Sequence, residues 1–432
     1  MSEKSFKYLI TKDQKAVWTV LMGPKKALEI HLAAPDGSRT LKNICVGRVR
    51  DVVPNIPAAF VELGDGQQGF YSLDVNQKHL LANSCLPNSC PNSCFQDASS
   101  LDSADFGETG SCFSQKKLRP GDEMIVQIER EAVKTKDPVL TSCLNLTGRY
   151  AVLTAGKPGL GVSSKIMDNS WKKQAKAELE PFCAPDFGFI LRTNAQNVPF
   201  SVIRAEMELL RERFYQILKK GQYATCYSVL YQEDAPYLSG LRDMNTTYLE
   251  EIVTDIPEIY EEVKAYLSLF QPALLPKLRY YQDTLLPLAK CYSLQDALDK
   301  ALRKQVWLKS GGYLVIEPTE ALTVIDVNTG KFNRKKTPRE TIRKINLEAA
   351  VAAGEEIRLR NLSGIIVIDF IDMESEEDDR ELLRVMTAAA SSDPVKTVVV
   401  DMTPLHLLEI TRKKVSRPLA EQVKLYKMDS AL

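Results

Sequence analysis

Two aspartates stand where aspartate is expensive. Asp326 lies in ALTVIDVNTGKF (321–332) among Leu322, Val324, Ile325 and Val327, with Asn328 two positions on. Asp369 lies in IIVIDFIDM (365–373). A carboxylate is a poor strand residue and costly to bury unless it is paired or binds a metal. At the C-terminal end of a strand it has a use, because ligand sites of open α/β sheets collect there. If the two strands are neighbours joined by the helix between them, Asp326 and Asp369 face each other across the sheet. They then repel, and a divalent cation resolves the repulsion. An oxygen-only site suits Mg²⁺, which takes few protein ligands and keeps its waters. Asn328 adds a donor and an acceptor without charge, for a bound water or a phosphate oxygen. Such a group suits phosphodiester hydrolysis, in which a metal polarises the phosphoryl oxygen and lowers the pKa of water. Asp372 is a candidate outer partner, while Glu376, Glu377, Asp378 and Asp379 read as a solvated helix start. On the residues alone an alternative stays open: strand-end aspartates also cap turns with no metal present.

To position these side chains the C-terminal part must be an α/β unit. After Gly311 and Gly312 its expected order is strand 313–318, strand 322–327, helix 338–360, strand 364–370, helix 376–391, strand 395–401 and helix 404–414. Further upstream, residues 43–75 and 122–146 carry short β-rich runs split by Pro and Gly, the pattern of a small barrel. A Cys/Ser/Asn-rich stretch, roughly 81–114, interrupts that pattern and reads as an insertion. Between 148 and 240 strand-like text (GRYAVLTAG, FGFILRT) alternates with helical spacing in WKKQAKAELEPF and FSVIRAEMELLRERFYQILKK. Segments 250–267 and 283–305 also read as helices.

Composition narrows the function classes. The 432 residues are 44% apolar and 26% charged with no formal net charge, a globular balance. No 18-residue apolar run exists, so no membrane-spanning segment is expected. MSEKSFKYLITKDQK carries no signal-peptide pattern, and the expectation is a cytoplasmic protein. The three histidines, His31, His79 and His406, lie in unrelated contexts, which disfavours a histidine acid–base relay. The absence of G-x-x-x-x-G-K-[ST] disfavours an ATPase. Cys85, Cys90, Cys94 and Cys112 lack a compact C-x₂-C knuckle, so a dispensable insertion is favoured over a metal site. On the barrel, Phe60 and Phe70 sit near glycine turns, where surface aromatics can stack single-stranded bases; a core role is the competing reading. Arg130, Lys134 and Lys136 are candidates for contact with the nucleic-acid backbone beside them.

IEPTEALTVIDVNTGKF, INLEAA and EEIRLRNLSGIIVIDFIDM closely resemble the ribonuclease E/G family. The likeness runs back through GRYAVL, GVSSKI and GFILRT to VGRVRDVVPNIPAAFVELGDGQQGF and covers nearly the whole chain outside the insertion. The resemblance implies a multidomain α+β and α/β architecture. Its parts are N-terminal strands (1–36) packing on the middle domain, an S1-like OB barrel (37–147), a mixed α/β middle domain with connecting helices (148–305, RNase H-like) and a catalytic α/β domain (306–432, DNase I-like). The implied activity is a Mg²⁺-dependent endoribonuclease, with Mn²⁺ as a substitute, that cuts single-stranded RNA and leaves 5′-phosphate and 3′-hydroxyl ends. Precursors of mRNA, rRNA or tRNA are the implied partners. Residues matching the family's metal ligands are Asp326 and Asp369, assisted by Asn328; those matching its RNA-binding aromatics and lysine are Phe60, Phe70 and Lys136. Arg192 and Thr193 match a 5′-phosphate-sensing pair. Lys396 stands where the family commonly has an arginine, keeping charge but losing the bidentate fork. No C-P-x-C pair appears, so a homo-oligomer, if formed, is expected without a zinc link. The main rival reading is a catalytically silent RNA-binding protein of the same fold.

Overall fold

The structure, a computed structural model, describes residues 5–34, 41–53, 55–82, 112–130, 137–283, 285–330, 338–373 and 375–426. The chain divides into two compact units, Met1–Ser38 with Pro236–Leu432, and Arg39–Ala235. The first unit begins with an antiparallel meander of β1 (Phe6–Lys12), β2 (Val17–Met22) and β3 (Ala27–Ala33). Asp13 holds its first turn, accepting from the N–H groups of Lys15 and Ala16 and from Trp18 Nε1.

The second unit opens with β4 (Ile44–Val53), β5 (Ala58–Gly64), β6 (Gln67–Ser72), β7 (Glu123–Arg130) and β8 (Val139–Thr141). They run in the order β4-β5-β6-β8-β7, and β7 returns to β4, closing a five-stranded barrel of OB/S1 type. Alternate residues fill it: Val49, Ala59, Val61, Tyr71, Met124, Val126 and Leu140 are buried together. Residues 83–111 of the cysteine-rich stretch lie outside the described residues. The flanks of that stretch meet, since His79 and Ser114 exchange both backbone hydrogen bonds at 2.8 Å. The unit continues as β9 (Asn145–Thr147), β10 (Ala151–Ala155), β11 (Gly159–Val162), α1 (Asn169–Leu179), β12 (Phe187–Leu191), α2 (Phe200–Tyr223) and β13 (Val229–Tyr231). α2 buries Ile203, Met207, Leu210, Phe214 and Ile217, a stripe at helical spacing, in a core with Phe187 and Phe189. β13 adds an edge strand to β4.

In the first unit, α3 (Pro236–Asp243) is followed by β14 (Leu249–Thr254), α4 (Pro257–Phe270) and β15 (Leu278–Tyr280). β14 runs parallel to β1 and β15 parallel to β14, giving the order β15-β14-β1-β2-β3. The helix expected over 250–267 is therefore a strand and then a helix. Pro257 disfavours helix in the residue before it and starts α4, and LEEIVT fills the place beside β1. The helix expected over 283–305 is likewise broken into α5 (Leu288–Cys291) and α6 (Leu294–Leu302), with Ser293 left-handed between them (φ 49°).

The C-terminal part comprises β16 (Gln305–Trp307), β17 (Tyr313–Pro318), β18 (Leu322–Asn328), α7 (Pro338–Leu359), β19 (Gly364–Asp369), α8 (Glu376–Ser391), β20 (Thr397–Met402), β21 (Leu407–Arg412) and α9 (Leu419–Leu425). Its sheet order is β16-β17-β18-β19-β21-β20. The helix expected over 404–414 is instead strand β21. LLEITR has period-two burial (Leu408, Ile410, Arg412) and fills the gap between β19 and β20. Arg412 is the unexpected core residue: its guanidinium donates to Asp393 Oδ2 at 2.7 Å, Asn361 Oδ1 at 2.7 Å and the Leu362 carbonyl at 2.9 Å. α7 and α8 cover one sheet face, where Ile325, Val327, Ile366 and Ile368 pack with Ile345, Ala349, Leu382 and Met386. The two sheets of this unit are tied by Arg358 of α7, which donates to Glu29 of β3 at 2.6 Å. Among the described residues no helix is long and apolar enough to cross a membrane.

Candidate catalytic site

Period-two alternation sends Thr323, Ile325 and Val327 into the helix-covered core and leaves Val324, Asp326 and Asn328 on the other face. β19 does the same, burying Ile366 and Ile368 and turning Asp369 outward. β18 and β19 are parallel neighbours in a register that sets Asp326 directly beside Asp369. Asn328 Nδ2 donates to Asp326 Oδ2 at 2.7 Å, fixing that carboxylate and leaving the amide oxygen as an acceptor. Burial, then the charges of Asp326 and Asp372, push the Asp369 carboxyl above its ordinary range. Like charges crowded at strand ends are the setting a divalent cation relieves, and an all-oxygen pair backed by an amide fits Mg²⁺. Among the described residues no group of three or more His, Cys, Asp or Glu is gathered to hold a metal.

Two supports of this site are invisible in a search for charged residues. Asn346 of α7 is fully buried; its Nδ2 donates to the Ile371 carbonyl at 2.7 Å and its Oδ1 accepts the Ile371 N–H at 3.2 Å. It clamps the backbone between Asp369 and Asp372. An asparagine on the apolar stripe of INLEAA was the available clue, because a buried amide must find partners. The second support is the turn after β16. Glu348 accepts the N–H groups of Lys309 (2.7 Å) and Ser310 (3.0 Å), seating Gly311 and Gly312 against the end of β18. Gly330 is left-handed (φ 62°), and a Cβ there would collide with the Gly311 carbonyl.

On the barrel, Phe60 and Phe70 are cross-strand partners with centroids 6.2 Å apart at 74°. Both are half-buried and alternate with core residues Ala59, Val61 and Tyr71, so they lie on the outer face. Arg130 ends β7, exposed, and it and Phe70 are both register partners of Val139 on β8. Lys134 and Lys136 lie outside the described residues. Elsewhere in the second unit, Arg192 follows β12; its N–H donates to the Tyr150 carbonyl and its Nη1 to the Gly148 carbonyl, each at 2.7 Å. Thr193 beside it is exposed and opens a 3₁₀ turn, Thr193–Asn197. Sequence reading missed Glu206 of α2, whose carboxylate accepts the N–H groups of Arg149 (2.6 Å), Tyr150 (2.7 Å) and Ala151 (2.9 Å) and so fixes the loop that Arg192 grips. Lys396 belongs to the first unit, exposed just before β20.

The model of the ribonuclease E/G family matches residues 145–415. The chain is 35% identical over 397 residues to ribonuclease G of Haemophilus influenzae, covering 90% of this chain and 76% of that protein. It is 32% identical over 390 residues to ribonuclease G of Escherichia coli K12 (89% and 75%). To ribonuclease E of Nostoc it is 31% identical over 393 residues (90% of this chain, 53% of that protein). The chain belongs to the ribonuclease E/G family.

Proposed function

We propose that this protein is a Mg²⁺-dependent endoribonuclease that cleaves single-stranded RNA in processing or decay and leaves 5′-phosphate and 3′-hydroxyl ends. The observation that carries this reading is the side-by-side register of Asp326 and Asp369 in a member of this family. Asp326 and Asp369 would hold Mg²⁺, or Mn²⁺ in its place, which when bound supplies Lewis-acid polarisation of the phosphoryl group and activation of water. Asn328 keeps Asp326 in one orientation through its 2.7 Å hydrogen bond and offers its free amide oxygen to a water at the scissile phosphate. Asn346 and the Glu348-held turn keep the two strand ends rigid, so that position rather than a nucleophilic side chain does the protein's part.

In this reading the barrel (37–147) binds RNA, with Phe60 and Phe70 as base-stacking surfaces and Arg130, Lys134 and Lys136 on the backbone. Arg192 and Thr193 of the middle region (148–305) recognise a 5′-terminal phosphate, and Lys396 offers a phosphate a charge without the bidentate fork. The sheet order β15-β14-β1-β2-β3 supports an RNase H-like reading of that sheet, and the helix-backed sheet of 306–432 a DNase I-like one. RNA precursors are the partners. The second reading, an RNA-binding protein without cleavage, has no observation in its favour at the carboxylate pair.

The test is cleavage of a short A/U-rich RNA carrying a 5′-monophosphate or a 5′-hydroxyl, with Mg²⁺, with EDTA, and with Asp326→Asn/Asp369→Asn. We expect cutting that requires metal and both carboxylates. Tight binding with no cutting by the unaltered protein would move it to the silent class.

A further inference from the structure

Two residue rows cross the open face of the catalytic sheet. One is Gln305–Val315–Asp326–Asp369 and the other is Trp307–Tyr313–Asn328, each following the strand register. Trp307 is 66% exposed on the edge strand β16, although an indole of that size is ordinarily well buried. Its neighbour Val306 packs into the core under the sheet, so the indole is held on the open face by strand alternation. Its ring sits against Tyr313, centroids 5.1 Å apart at 53°, which gives it a backing and one preferred pose. Lys309, two residues on, is exposed in the turn after β16. A fixed aromatic in the row beside a metal-type carboxylate pair is the chemistry of a nucleotide site.

We propose that Trp307, backed by Tyr313, is a stacking platform for an unpaired RNA base within a few nucleotides of the bond that is cut. This rests on the nuclease reading above and adds to it a substrate subsite on the catalytic sheet itself. With strands about 4.8 Å apart, Trp307 lies roughly 10 Å from Asn328, a span that a short piece of single-stranded RNA bridges. A second protein copy is the less suitable occupant. The exposed apolar residues of this face, Trp307 at one edge and Ile365, Val398 and Val400 towards the other, are separated by the Asp326–Asp369 row. A protein surface spanning them would bury two carboxylates, whereas RNA brings its own cations to them.

The experiment is an abasic scan. In an RNA with one mapped cut, each nucleotide near the cut is replaced in turn by an abasic one, and kcat/KM is measured for the unaltered protein and for Trp307→Ala and Trp307→Phe. The same scan is read as binding affinity in Asp326→Asn/Asp369→Asn protein, which keeps the test independent of cleavage. We expect Trp307→Ala to weaken the intact RNA by roughly 5- to 100-fold, mainly in KM, with Trp307→Phe retaining most of the affinity. One abasic position should cost the unaltered protein a similar factor and cost Trp307→Ala nothing further. Abasic penalties that are identical in the unaltered protein and in Trp307→Ala at every position would overturn the proposal. So would a Trp307→Ala protein whose loss is accompanied by a changed molecular mass in solution, with the abasic profile intact, because that assigns the face to a second copy. Failure of the unaltered protein to cleave would sink the nuclease reading alone, since the affinity scan would still decide the stacking.

Discussion

Asp369 is where function and stability pull apart. Its folded-state pKa is raised, by burial and by Asp326 and Asp372, so its charged form is less comfortable in the fold than in the unfolded chain. Without metal, stability is therefore lower above that raised pKa and recovers as pH falls through it. Asp369→Asn should raise the unfolding temperature in EDTA at neutral pH while abolishing cleavage. An unchanged or lowered melting temperature would show that the pair is not under repulsion. Metal affinity should also weaken on acidification at a higher pH than for an ordinary carboxylate, which calorimetric Mn²⁺ titration at a series of pH values reads. Asn346 acts by position only. Asn346→Ala leaves the Ile371 N–H and carbonyl without their partner and should cost about 1–3 kcal/mol of stability. We expect cleavage to fall at least roughly tenfold through kcat, because sub-ångström placement of Asp369 sets the reaction geometry. Full activity in a destabilised Asn346→Ala protein would reduce the residue to a core amide.

At the level of elements, strands behave as their neighbours demand. The 404–414 segment has apolar spacing that a helix could use, yet β19 and β20 leave a slot between them, and Leu408, Ile410 and Arg412 fill one face of it. Arg412 is tolerated there because Asp393, Asn361 and the Leu362 carbonyl take up its donors. The barrel's interruption is an element-scale matter too. His79 and Ser114 are held side by side, so the chain between them enters and leaves at one point. Cys112 and Phe113 are buried, and the Cys112 N–H donates to Asp186, so any excision must stop short of them. Replacing 84–111 with a short Gly/Ser bridge should leave folding and cleavage rates within about twofold, since closing a shorter loop changes entropy little. A folded but inactive deletion would give the stretch a role in catalysis.

For the molecule as a whole, the joint between β3 and α7 is set by charge. Glu29 loses solvation by burial, but the hydrogen bond from His31 and the Arg358 guanidinium outweigh that and hold its pKa at about 2, below the ordinary carboxylate range. A depressed carboxylate contributes stability above its unfolded pKa and loses it as pH falls towards the folded one. Acid unfolding of the first unit should thus steepen between about pH 4.5 and 2. Glu29→Gln should flatten that slope and lower stability at pH 7; an unaltered slope in circular dichroism titrations would remove Glu29 from the account.

The sequence by itself determined the local patterns: a strand at 313–318, nearly all-apolar strands at 322–327 and 364–370, the helices at 338–360 and 376–391, and the odd aspartates at two strand ends. Those follow from short apolar runs, from helical spacing and from the cost of placing charge in apolar runs. Only the tertiary structure decided that Asp326 and Asp369 share one register, that Leu249–Thr254 is a strand against β1, and that 407–412 completes the sheet. It also turned Phe60 and Phe70 to the barrel's outer face and revealed Asn346, Glu206 and Trp307. Pairing between segments distant in sequence is set by which slot and which partner remain, and no local window carries that information.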